Sequence, residues 1–82
     1  MKILVNIYIP IIEKKFDVFI PDFLLIKEII ELLISAIHEL SDVDYISSGN
    51  EFLCLIDKKI LLKENLTLYD YGVQNGDKLI LM

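Results

Sequence analysis

Leu68-Tyr69-Asp70-Tyr71-Gly72-Val73-Gln74-Asn75-Gly76-Asp77-Lys78-Leu79 carries more structural information than any other stretch of this chain. Thr67, just before it, stands three residues ahead of Asp70. That is the spacing of a capping box with Asp in place of Glu, and it predicts one helical turn over 67–70. Gly72 suits the end of such a turn, where a positive φ is needed. Asn75-Gly76-Asp77 predicts a tight turn. A last strand follows over 77–82, with Leu79 and Leu81 on one side and Ile80 and Met82 on the other.

Moving upstream, residues 60–62 read as a short strand, and Asp57-Lys58-Lys59 as the turn before it. Residues 51–57 alternate. Phe52, Cys54 and Ile56 form one set, and Leu53 and Leu55 share the other with Glu51 and Asp57. The charged ends predict that the Leu53–Leu55 set faces outward, which makes Cys54 a buried, inert thiol. Ser41 to Asn50 is polar and reads as a loop. Residues 23–40 read as one helix, with Asp22 as N-cap. Ile26, Ile29, Ile30, Leu33, Ile37 and Leu40 fall in one stripe at helical spacing, with Leu32 and Ile34 on its borders. Residues 2–9 and 14–20 read as a leading hairpin. Its first strand puts Ile3, Val5, Ile7 and Ile9 in the core, and Pro10 ends it.

The order is strand, strand, helix, strand, short strand, helical turn, strand. A helix placed so must cover one face of one mixed sheet of four to five strands. This is an α+β chain of β-grasp architecture, expected to form a single domain over 1–82. The face away from the helix is then expected to carry Leu4, Tyr8, Phe19, Leu53, Leu55, Ile80 and Met82 side by side, with Asn6 continuing the row. An apolar patch of that breadth on a small protein marks an interface more often than it marks chance.

Composition narrows the function. At 82 residues, 55% hydrophobic, with mean hydropathy +0.56, the chain can bury one core and is not disordered. All 8 basic residues are lysine against 13 acids, for a net charge of −5. Without arginine forks, and with an acidic balance, nucleic acid is not an expected partner. Neither Ile3 to Ile9 nor Phe23 to Ile37 is long and uncharged enough for a signal core or a membrane span, so a cytosolic location is expected and direct membrane insertion is not. A lone cysteine leaves no internal disulfide. His38, between Ser35 and Glu39 on the polar side of the helix, reads as a surface histidine, because no oxyanion donor or pocket accompanies it. Asp42, Asp44 and Ser47 lack the spacing of a calcium loop. Lys58-Lys59 reads as a turn pair. No glycine-rich phosphate loop is present. No catalytic residue, metal site or cofactor is expected, and the chain is read as no enzyme.

The segment 68–79 resembles the "L-x-D-Y-x-I/V-x-x-G-D-x-L" run of the ubiquitin-like superfamily, and element order extends that resemblance over nearly the whole chain. In that superfamily the tyrosine, here Tyr71, anchors a loop and the last strand enters the sheet centre. Ile20-Pro21-Asp22-Phe23-Leu24-Leu25-Ile26-Lys27-Glu28-Ile29-Ile30 is similar to the helix start of the small YukD/EsaB proteins that accompany bacterial type VII (WXG100) secretion systems. The resemblance implies a non-catalytic, cytosolic accessory of the secretion machine. It would dock through the outer sheet face on a membrane ATPase, on a scaffold protein, or on a second copy of itself, with the hairpin tip Ile11-Ile12 as an added contact. Ubiquitin and the sulfur carriers of thiamin and molybdopterin synthesis use a flexible terminal Gly-Gly. No Gly follows Gly76 here, so conjugation and sulfur transfer, the alternative reading, would need a differently processed C-terminus.

Overall fold

The computed structural model describes residues 1–40 and 47–82. The elements are β1 (Lys2–Ile9), β2 (Lys14–Pro21), α1 (Ile26–Leu40), β3 (Leu53–Leu55), β4 (Ile60–Leu61) and β5 (Lys78–Leu81), with a 3-10 turn over Pro10–Ile12 at the hairpin tip. The sheet order is β2-β1-β5-β3-β4. β5 runs parallel to β1, and the other pairings are antiparallel. This is the ubiquitin-like β-grasp, with the first and last strands adjacent at the sheet centre.

Local chemistry explains each junction. Pro10 opens the tip turn, where its missing N–H is not needed. The turn closes when the Glu13 N–H donates to the Pro10 carbonyl at 3.0 Å, with Glu13 at φ 53°. The helix starts at Ile26 rather than at residue 23, and Asp22 is not its cap. Asp22 instead accepts a hydrogen bond from the Met1 amine at 3.1 Å, while its own amide donates to the Met1 carbonyl. The Leu25 N–H donates to the Glu28 carboxylate, half of a capping box. The next two amides, of Ile26 and Lys27, donate to the carbonyls of Leu66 and Glu64. A loop from elsewhere in the chain therefore satisfies the helix start, and no cap signal in residues 21–23 could announce it.

The stretch 67–77 is built as a chain of small locks. Thr67 and Asp70 exchange reciprocal side-chain bonds to each other's amides at 3.0 and 3.1 Å. Two overlapping turns follow and end at Gly72, at φ 67°. Gly76, at φ 89°, donates to the Leu4 carbonyl, and the Asn75 side chain accepts from the Leu4 amide at 2.7 Å. The tight turn is thereby fastened to β1. The Tyr71 hydroxyl accepts from the Lys63 N–H at 2.8 Å and ties the loop after β4 to this segment. Tyr71→Phe should lower the free energy of unfolding by about 1 kcal/mol, because it removes that acceptor and little apolar packing. Urea unfolding would read the change directly.

The core lies between sheet and helix. Ile3, Val5, Ile7 and Ile9 of β1, Ile20 of β2, Ile26, Ile29, Ile30, Leu33 and Ile37 of α1, and Leu79 and Leu81 of β5 are buried, as their periodicities predict. Leu62, Leu68 and Val73 complete it from the loops. β3 departs from expectation. Leu53 and Leu55 are 0% and 1% exposed and lie in this core, not on the outer face. Cys54 is partly buried on the outer side instead of sitting inside. The strand covers three residues rather than seven, so the charged Glu51 and Asp57 are not in it and do not mark its outer face. Glu51 precedes the strand, is itself buried, and accepts from the Ser48 N–H at 3.0 Å. Asp57 lies in the following turn. A shift of one position exchanges every side chain between faces, and here the charge cue shifted it.

Candidate protein interface

Cross-strand register sets out the helix-free face in rows. One row crosses all five strands: Lys15, Tyr8, Ile80, Cys54 and Leu61. The Lys15 ammonium sits 5.6 Å from the centroid of the Tyr8 ring, a cation–π contact that closes one end of the row. Beyond it, Phe52 and Met82 exchange two backbone hydrogen bonds at 2.8 and 3.0 Å and extend the apolar surface with exposed side chains. Leu61 and Met82 are each 57% exposed. Tyr8, Ile80, Cys54, Leu61, Phe52 and Met82 thus form a continuous strip.

Leu4 and Phe19 pair directly across β1 and β2, and Phe19 is 69% exposed. They do not join the strip. A polar row of Asp17, Asn6 and Lys78 runs between, and the Asn6 amide donates to the Asp17 carboxylate at 3.0 Å. Of the expected row, Tyr8, Ile80 and Met82 come together, Leu4 and Phe19 form a separate pair, and Leu53 and Leu55 leave the face. Phe52 and Leu61 enter it unannounced. No compositional signal separates the Phe52-Cys54-Ile56 set from the Leu53-Leu55 set, because both are apolar. Only pairing with β5 decides between them.

The face carries little reactive chemistry. Among the described residues, no group of His, Cys, Asp and Glu could hold a metal ion. His38 is on the exposed side of α1. Asp42 and Asp44, with most of the segment read as a loop, lie outside the described residues. An apolar hollow of about 40 Å³ lined by Ile9, Phe16, Val18, Leu33, Ala36 and Ile37 is far below the size of a small-molecule site. Among the described residues, no helix is long and apolar enough to cross a membrane.

Solved structures share this architecture. The ubiquitin-like domain of EccD5 from Mycobacterium xenopi is 23% identical, with 100% of this chain and 93% of that one covered and a TM-score of 0.74. Ubiquitin from Caldiarchaeum subterraneum is 16% identical, with 99% and 91% covered and a TM-score of 0.76. The UBL domain of Dsk2 from Plasmodium falciparum is 23% identical, with 100% of both chains covered and a TM-score of 0.71. At such identities the likeness is one of fold. Among curated proteins no sequence match is found. The family profile of YukD, a protein of the WXG100 protein secretion system (Wss), matches residues 4–81. The chain therefore belongs to the YukD family of type VII secretion proteins.

Proposed function

We propose that this chain is a non-catalytic docking module on the cytosolic side of a type VII secretion apparatus. The apolar strip Tyr8, Ile80, Cys54, Leu61, Phe52 and Met82 is the surface that engages a protein component of that apparatus, such as its membrane ATPase or a scaffold. The observation that carries this reading is the continuity of the strip on an otherwise acidic protein. Covering a few hundred Å² at about 25 cal/mol per Å² supplies several kcal/mol, of which association entropy consumes a large part. Lys15 and Lys78 stand beside the strip, while Glu28, Glu31 and Glu39 lie on exposed positions of the helix. The fitting partner is an apolar ridge flanked by acids.

Ile80→Lys combined with Leu61→Glu should raise the dissociation constant for the cytosolic regions of the secretion ATPase or scaffold by about a hundredfold or more. Calorimetric titration of purified components measures this, and the thermal midpoint should stay within a few degrees of wild type. Undiminished binding to every component by the folded double variant overturns the assignment. The same reading has the chain act without conjugation. The intact mass of the protein isolated from cells tests this, since a conjugate or thiocarboxylate adds mass.

A further inference from the structure

β2 is an outer strand of the sheet and eight residues long, whereas β4 on the other edge has two. Its neighbour reveals which of its backbone groups are free. On β1, Leu4 donates to Asn75 and accepts from Gly76, and Asn6 donates to Asp77. The even-numbered residues of β1 therefore aim their amides and carbonyls at β5 and the turn before it. Alternation sends those of Ile3, Val5 and Ile7 toward β2, where they meet Ile20, Val18 and Phe16. Lys15, Asp17 and Phe19 are left aiming their amides and carbonyls off the sheet. The register with β1 contains no bulge, and the one proline of the strand stands at its end. Such an edge is a template for another strand.

We infer that the strand it takes is β2 of a second copy, paired antiparallel about Phe16. Outward-aimed residues must meet outward-aimed residues, which leaves few registers. A pairing centred on Asp17 opposes Asp17 to Asp17, and one centred on Lys15 opposes Lys15 to Lys15. Like charges directly opposite are destabilising. A pairing centred on Val18 sets Lys15 against Pro21, which has no N–H to give. Centred on Phe16, each Lys15 meets the partner's Asp17, and the two-fold axis makes this favourable pair twice. On the helix side of the joint, Phe16 meets Phe16. That side chain is partly buried and lines the apolar hollow with Val18, Leu33 and Ala36, so the two hollows are brought together at the joint. The outer faces remain open and become one continuous surface with two copies of the strip. A partner array would then be held by avidity as well as by affinity.

Edge lysines also serve as guards against pairing, and in that role Lys15 would keep the chain monomeric. Light scattering from micromolar to millimolar protein separates the two cases. The mass should rise from 9.5 kDa toward twice that value. Lys15→Asp alone and Asp17→Lys alone each oppose like charges twice, and should weaken the dimer about tenfold or more. Both positions are exposed, so thermal melts should find both variants folded. An equal mixture of the two single variants should regain the dimer, and so should the chain carrying both exchanges. A wild-type chain that stays at monomer mass throughout overturns the proposal. So does a dimer indifferent to the single exchanges, or one that neither the mixture nor the double exchange restores.

Discussion

Leu55→Glu is expected to leave the protein unfolded at room temperature, while Cys54→Glu, one residue away, leaves it folded. Leu55 is 1% exposed and pairs with Leu79 on one side and Ile60 on the other. The substitution forfeits about 1.5–3 kcal/mol of apolar burial. It also places a carboxylate among the buried apolar side chains of the core, which costs several kcal/mol more, either as buried charge or as forced protonation. A domain of this size has a total stability toward the low end of about 5–15 kcal/mol, so the sum exceeds what the fold can lose. Cys54 points to the outer face, and a carboxylate there reaches water. Far-ultraviolet circular dichroism with a urea titration of both variants decides the matter. A cooperative, wild-type transition for Leu55→Glu together with collapse of Cys54→Glu would reverse the faces of β3 and remove Phe52 and Leu61 from the proposed interface.

That pair of variants also marks where the sequence stops being informative. β1 was legible because its alternate positions, Ile3, Val5, Ile7 and Ile9, contrast with Lys2 and Asn6. The helix stripe was legible because Lys27, Glu28 and Glu31 interrupt it at the right angles. The segment from Thr67 to Asp77 was legible because three of its locks are local: a side chain bonds an amide three residues away. β3 was not, since Leu-Cys-Leu flanked by Phe and Ile has no polar face, and its orientation is dictated by Leu79 and Leu81 across the strand. The helix start was missed for the same reason, as its amides are satisfied by Glu64 and Leu66, far away in sequence. The interface inherits this division. Tyr8, Ile80 and Met82 could be placed from their own strands, whereas Phe52 and Leu61 required the sheet. The interruption by Asp17, Asn6 and Lys78 also required register, because it arises from three strands at once.

Leu79→Ala should reduce stability by about 3–4 kcal/mol, near the upper part of the range for a fully buried leucine. The reason is topological as well as volumetric. β5 lies between β1 and β3, so the β1–β2 hairpin and the β3–β4 pair are joined within the sheet only through it. Leu79 is 0% exposed and stands opposite Ile7 on one neighbour and Leu55 on the other. Neither neighbour can close a gap there without pulling its own strand out of register, so the cavity persists and its cost with it. At a urea dependence of about 1–3 kcal/mol per molar, the midpoint should fall by roughly 1 M or more. Met82→Ala is the matched control on the same strand end. Its side chain is 57% exposed, and its loss should change stability by about 0.5 kcal/mol or less. Met82 belongs to the proposed interface and Leu79 does not, so the two variants should exchange rank when partner affinity of the folded protein replaces stability as the readout. Equal stability losses from the two would mean that β5 is held by its edges rather than by its core face, and the strip would then be part of the fold's own cohesion rather than a surface left over for a partner.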